Sequence, residues 1–179
     1  MKKQNNIVII GGTACGPKAG ARARRCDPQA RITIAEQRER LSVATCGLPY
    51  YVSGVIDSQS DLVARQPDFF RDVMNIEVLT RTKALAIDRD AREVEILNLE
   101  TNRVSTIDYD KLVLATGSMP AVPDLKGRHL GGIFTLTKME DAGAIRDLIS
   151  PREIKKAIII GAGLIGLETA EAFVFQAWR

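Results

Sequence analysis

Histidine occurs once in this 179-residue chain, at position 129, and cysteine only three times, at 15, 26 and 46. A single histidine with no base-like setting excludes a Ser-His-Asp hydrolase. Three scattered cysteines and one histidine also lack the ligand spacing of a metal site. An odd, widely spaced cysteine set does not make a disulfide framework. Aromatic residues are 5% of the chain and none interleave with the arginines, so the stacking platforms of a nucleic-acid binder are missing. The net charge of +3 and a pI near 8.8 are a mild bias, not a basic face. Apolar runs are short. The one near the N-terminus covers residues 7–10, too few for a signal peptide or a membrane span. These absences point to a cytoplasmic protein without metal, nucleic-acid or membrane partners. The 45% hydrophobic content supports a packed core.

What is present is organised around residues 7–36. Ile7-Val8-Ile9-Ile10 are four apolar β-formers closed by Gly11, the pattern of a strand buried on both faces. The Ala- and Arg-rich residues 14–26 predict a helix, with Pro17 tolerable because it falls in the first turn. Residues 31–35 form a second strand that ends at Glu36. This is a βαβ unit. In its loop, Gly11 permits the turn out of the strand and Gly16 lets the helix pack close to the sheet. Gly12, Thr13 and Ala14 lie between them, where the helix N-terminus aims N–H groups at a diphosphate. Glu36, with Gln37 beside it, stands where a carboxylate accepts ribose hydroxyls. Thr13 replaces the middle glycine of Gly-x-Gly-x-x-Gly, so the backbone approach to the pyrophosphate is less close. An ordinary glycine-rich turn is the competing reading.

Further along, Cys46-Gly47-Leu48-Pro49-Tyr50 follows an extended segment and opens a short helix. A thiol there can act as nucleophile or redox group; the alternative is a small buried hydrophobe. Residues 67–74 read as a short helix with Phe69, Phe70 and Val73 on a core face. After a strand at 76–79, residues 83–88, 94–99 and 104–107 read as an antiparallel meander, polar on one face. Residues 111–115 predict another buried parallel strand, and Thr116-Gly117 end it at the carboxyl edge where α/β sheets bind ligands. Pro120 and Pro123 mark a linker, 133–135 a short strand, and 138–149 a helix stopped by Pro151. Residues 157–160 then lead into Gly161-Ala162-Gly163-Leu164-Ile165-Gly166, a second strand–loop–helix with all three glycines. Two such units imply two dinucleotides.

The first nucleotide unit, the Cys46-Gly47-Leu48-Pro49-Tyr50 string and Tyr109-Asp110-Lys111-Leu112-Val113-Leu114-Ala115-Thr116-Gly117 together resemble the flavoprotein pyridine nucleotide–disulfide oxidoreductases. The resemblance is nearest the single-cysteine branch, which holds coenzyme A-disulfide reductases, persulfide reductases and NADH oxidases and peroxidases. It implies an α/β fold: a three-layer Rossmann-like FAD-binding unit with a small β-meander, plus the start of a second, NAD-binding Rossmann unit. The matching divisions are an FAD-binding part over residues 1–120, a linker and helix over 121–155, and the opening of an NAD(P)-binding domain over 156–179. It implies FAD and NAD(P)H as cofactors. FAD would meet Gly11, Gly12, Thr13, Ala14, Gly16, Glu36, Gln37, Ala84, Ala115, Thr116 and Gly117; NAD(P)H would meet Gly161, Gly163 and Gly166. Cys46 is the implied catalytic residue. The dithiol branch has a second cysteine five positions on, where this chain has Tyr51, so oxidised Cys46 would be a sulfenic acid or a mixed disulfide with a small thiol.

Lys18, Arg22 and Arg25 recur at helical spacing and suit the phosphates of an ADP group. In coenzyme A-disulfide reductases the positions matching these three, and Ser42 and Thr45, contact coenzyme A. A solvated basic helix face is the competing reading. An NADH peroxidase would typically carry histidine where this chain has Ala14. The resemblance also leads to the expectation that the chain is an N-terminal part of a longer enzyme, homodimeric at full length. A catalytically inactive flavin-binding fragment is the remaining alternative.

Overall fold

The structure is a computed structural model and describes residues 4–150, 154 and 156–177. The chain divides into two compact units, Met1–Val43 with Val63–Gly117 and Ala44–Leu62 with Ser118–Arg179.

The first unit is built on a parallel four-stranded sheet in the order β3-β2-β1-β7. Its strands are β1 (Asn6–Ile10), β2 (Arg31–Ala35), β3 (Glu77–Leu79) and β7 (Lys111–Leu114). Ile9 sits opposite both Ile34 on β2 and Val113 on β7. Successive strand residues face opposite ways, and β1 uses both faces. Ile9 joins Ile32, Ile34, Leu41, Phe70, Ile76 and Val78 in the core packed by helix α1 (Cys15–Cys26). Val8 and Ile10 instead meet Val94 and Ile96 of the meander. That meander is β4 (Thr82–Asp88), β5 (Glu93–Asn98) and β6 (Arg103–Asp108), antiparallel throughout. Helix, sheet and meander are the three layers. Burying each of these isoleucines and valines contributes about 1.5–3 kcal/mol, which is why β1 reads as an unbroken apolar run.

Two expectations for this unit need correction. Residues 69–73 form a π turn, closed by the Met74 N–H on the Phe69 carbonyl. Its wider i to i+5 spacing rotates Val73 off the Phe70 side, and Val73 is 68% exposed. β7 is not a buried strand: it is the sheet edge among the described residues, pairing with β1 alone, and Leu114 is 62% exposed.

Arg24 ties α1 to this unit. Its guanidinium donates to the carbonyls of Pro28 (2.8 Å), Ala30 (2.7 Å), Met74 (3.0 Å) and Asn75 (2.5 Å). Hydrogen bonds to a charged group contribute about 1.5–3 kcal/mol each when sheltered, and these are partly exposed. Arg24→Ala is expected to lower stability by about 2 kcal/mol, read as a drop in the urea midpoint. Arg24→Lys should not restore it, because one ammonium cannot span carbonyls on two segments. Nearby, the Asn5 side-chain amide, then the backbone N–H groups of residues 29 and 30, hold the Asp27 carboxyl below its usual range.

In the second unit a 3₁₀ turn (Thr45–Gly47) runs into α2 (Leu48–Val52), whose Leu48, Pro49 and Val52 are buried. Helix α3 (Met139–Ile149) packs against α2. Asp141 caps it, its Oδ2 accepting from the N–H groups of Thr137 (3.0 Å) and Lys138 (3.1 Å). This acceptor in the first turn satisfies backbone donors that the helix leaves open. Residues 133–135 are not a strand. Pro151 lies outside the described residues. Residues 157–160 are not paired either, and Ile158 and Ile160 are 82% and 79% exposed. A strand takes its hydrogen bonds from a neighbour, and no described segment supplies one. The turn that follows nevertheless forms and opens α4 (Leu164–Ala177).

Candidate functional site

The chain leaves β1 at Gly11, whose φ of +107° is a glycine conformation. Its N–H donates to the Ala35 carbonyl at 2.8 Å. Its α-carbon lies so close to β7 that a Cβ would sit 2.1 Å from the Ala115 oxygen. The next N–H, of Gly12, donates to Glu36 Oε2 at 2.6 Å, and the Gly12 carbonyl accepts from the Ser42 N–H at 2.8 Å. A Cβ on Gly12 would meet Leu41 Cδ1 at 2.1 Å, and one on Gly16 would meet the Gly11 oxygen at 1.8 Å. Each of these three glycines is therefore backed by backbone or by a buried side chain.

Helix α1 begins at this loop with no side-chain cap at Ala14 and no acidic residue in its first turn, while Arg24 and Arg25 occupy its last. The first N–H groups stay open to a ligand, and the helix dipole adds positive potential there. Glu36 is buried, and its Oε1 accepts from the Arg38 N–H at 2.9 Å. The Thr82 N–H donates to the Glu36 carbonyl at 2.9 Å, which brings the start of β4, and Ala84 two residues on, beside the carboxylate strand end. The structure thus gathers Gly11, Gly12, Thr13, Ala14, Gly16, Glu36 and Ala115 at the carboxyl end of the sheet. Thr116 and Gly117 continue from Ala115, both exposed, Gly117 with φ of +72°. Gln37 is exposed next to Glu36.

Arg38 and Leu41 went unremarked in the sequence. Leu41 is fully buried against Gly12. Arg38 reaches back over the loop, its guanidinium 3.5 Å from Thr13 Oγ1. The available signal is the pair of arginines, 38 and 40, in the polar turn directly after Glu36 and the apolar Leu41 that closes it.

Gly161 repeats the first turn, with φ of +113°, and a Cβ on Gly166 would meet the Gly161 oxygen at 2.2 Å. The Leu167 N–H donates to the Gly163 carbonyl at 3.0 Å. Helix α4 starts there as α1 does after Gly11.

Cys46 belongs to the second unit, exposed in the 3₁₀ turn. It is not the buried hydrophobe that was its alternative. Exposure does not single it out, since Cys15 and Cys26 are exposed too. Its surroundings do. Gly47 is packed so that a Cβ would lie 2.5 Å from Leu62 Cδ2. Arg146 sets its guanidinium 4.5 Å from the Tyr51 ring centroid and donates to the carbonyls of Ile56 and Asp57, each at 2.9 Å. The thiol is carried on a turn held at Gly47 and through the segment that follows it.

Lys18, Arg22 and Arg25 are exposed on α1, and among the described residues none pairs with them. Ser42 spends its backbone on Gly12 and Ala64. Thr45 is exposed at the head of the 3₁₀ turn in the other unit. His129 is exposed, its Nε2 accepting from Arg128 at 3.0 Å. Among the described residues no group of three His, Cys, Asp or Glu could hold a metal, and no helix is long and apolar enough to cross a membrane.

The chain is 36% identical over 165 residues to coenzyme A disulfide reductase of Staphylococcus haemolyticus, a match covering 92% of this chain and 37% of that protein. It is 34% identical over 179 residues to the CoA-dependent NAD(P)H sulfur oxidoreductase of Pyrococcus abyssi, covering 100% of this chain and 39% of that protein. The chain thus spans under two fifths of the length of these curated relatives. The solved structure of an NAD-dependent persulfide reductase from A. fulgidus superposes with a TM-score of 0.90 at 42% identity, over 96% of this chain and 32% of that one. The family model for pyridine nucleotide-disulphide oxidoreductases matches residues 5–177, and with the two glycine turns and the layered sheet this places the chain in that family.

Proposed function

We propose that the protein these residues belong to is an NAD(P)H-dependent flavoprotein that reduces a small disulfide or persulfide of the coenzyme A type through Cys46. The observation that carries the reading is the repeated turn: Gly16 closes on Gly11 and Gly166 on Gly161 in the same way, which suits two dinucleotides in one chain. The first site fits FAD by its own construction. Its glycine cradle has no room for a Cβ, its helix N-terminus is uncapped, and Glu36 is buried beside Gly12. Gly11, Gly12, Thr13, Ala14, Gly16, Glu36 and Ala115 would hold the cofactor, with Thr116, Gly117, Gln37 and Ala84 at its margins. Gly161, Gly163 and Gly166 would hold NAD(P)H. A bound flavin would supply the two-electron relay between nicotinamide and sulfur.

Cys46 would act as the nucleophile. Its thiolate attacks one sulfur of the substrate disulfide, the S–S bond breaks, and one thiolate leaves. The product is a mixed disulfide on Cys46. Two electrons, ultimately from NAD(P)H, cleave that bond, free the second thiolate and restore Cys46. The net reaction consumes one NAD(P)H, one disulfide and one proton and yields two thiols. Tyr51 occupies the position of a resolving cysteine, so no sulfur of this segment can end the mixed disulfide. Lys18, Arg22 and Arg25 would pair with the phosphates of the substrate's ADP group, and Ser42 and Thr45 would also contact coenzyme A.

The test is NAD(P)H consumption by the purified flavoprotein with coenzyme A disulfide, a coenzyme A persulfide or hydrogen peroxide as acceptor. Faster turnover with the sulfur acceptors is expected. Preference for peroxide would overturn the substrate assignment in favour of the oxidase and peroxidase members of the branch. A colourless protein that takes up no added FAD would overturn the flavin assignment.

A further inference from the structure

We propose that Arg38, through Thr13, supplies the cation that holds the diphosphate of the first dinucleotide, making Arg38 a determinant of FAD affinity. This rests on the reading of the first turn as the flavin site. The uncapped helix start offers backbone N–H groups, but two residues limit what the cradle supplies. Thr13 stands where the middle glycine would let the backbone approach the pyrophosphate most closely. Pro17, in the first turn of α1, has no N–H to offer. A diphosphate bound here would meet the open N–H groups of the helix start, but neither a glycine at position 13 nor an N–H at position 17.

Arg38 lies where it can make up the shortfall. Its N–H donates to Glu36 Oε1 at 2.9 Å, and its carbonyl accepts from the Arg81 N–H at 3.0 Å, so its backbone is fixed on both sides. The half-buried side chain points to Thr13 Oγ1 at 3.5 Å. Glu36 makes no ion pair with it: its two carboxylate oxygens accept from the backbone N–H groups of Gly12 and of Arg38 itself. Among the described residues no carboxylate pairs with the guanidinium. Thr13, accepting from Arg38, keeps its own O–H to donate. The pair therefore offers a cation and a hydroxyl donor at the middle position of the loop, and a guanidinium matches phosphate oxygens two at a time.

The experiment is titration of the full chain with FAD, followed by quenching of flavin fluorescence, at low and high salt. Wild type is compared with Arg38→Ala, Arg38→Gln and Thr13→Gly/Arg38→Ala, and apoprotein melting is recorded for each. Arg38→Ala and Arg38→Gln should weaken FAD binding roughly tenfold to a hundredfold with unchanged melting. The affinity of the variants should depend less on salt than that of wild type, because the lost contact is ionic. Restoring glycine at position 13 should recover part of the loss. Wild-type affinity and salt dependence in Arg38→Gln would overturn the inference alone. Failure of wild type itself to bind FAD would overturn the flavin reading and this inference with it.

Discussion

Alanine at Gly16 will abolish FAD binding, whereas alanine at Gly166 will leave FAD bound and remove NAD(P)H. The added methyl at position 16 would meet the Gly11 carbonyl oxygen at 1.8 Å and Ile9 Cγ2 at 3.2 Å. The oxygen cannot turn aside. Gly11 is pinned by its N–H on Ala35 and is wedged against the Ala115 carbonyl. Nor can α1 lift without loss, since it packs closely on the sheet at Gly20, where a Cβ would lie only 3.3–3.4 Å from Ile9, Ile34 and Ile76. Relief has to come from the loop, the part that aims the N–H groups. Overpacking of this kind costs about 1–3 kcal/mol in stability. Losing two charge-assisted hydrogen bonds to a diphosphate costs affinity a hundredfold or more. Gly166 faces the same conflict with Gly161, at 2.2 Å, in the other unit. Paired titrations with FAD and with NADH separate the two sites. A Gly16→Ala protein that binds FAD like wild type would mean that the first turn is not the flavin site.

The reason β1, the first turn and α1 could be read from sequence is that each residue there answers to a local demand. Residues 7–10 are apolar because one strand faces two cores, and Gly11 is glycine because of its φ and the Ala115 oxygen behind it. The parts that escaped depend on distant neighbours. Arg24 and Arg25 are adjacent and of one type, yet Arg24 is spent on carbonyls, two of them at Met74 and Asn75 some fifty residues on, while Arg25 stays in solvent. Arg38 comes over the loop because the Ser42 N–H draws the following segment onto the Gly12 carbonyl, with Ser42 in a left-handed conformation at φ of +56°. Residues 157–160 have the composition of a buried strand, but composition cannot supply the neighbour that a ladder requires.

Cys46→Ser is expected to cut disulfide reduction roughly a thousandfold or more while flavin binding and melting stay as in wild type. The substitution keeps size and shape at an exposed site. The contacts that fix the turn belong to Gly47 on Leu62 and to Tyr51 beneath Arg146, not to the sulfur. Electron transfer from NADH to an artificial dye should survive, because it does not need the thiol. The more telling readout is chemical. Without a resolving sulfur at position 51, coenzyme A disulfide added in the absence of NAD(P)H should leave one coenzyme A per chain, and intact-mass spectrometry should find it on Cys46. Cys15 and Cys26 are the controls, because they are just as open to solvent but lie at the two ends of α1 rather than on the anchored turn. Their serine variants should still take the adduct and still turn over. If instead Cys46→Ser remains active and Cys15→Ser does not, the reacting sulfur is at the head of α1, and the role proposed for the Cys46 turn is wrong.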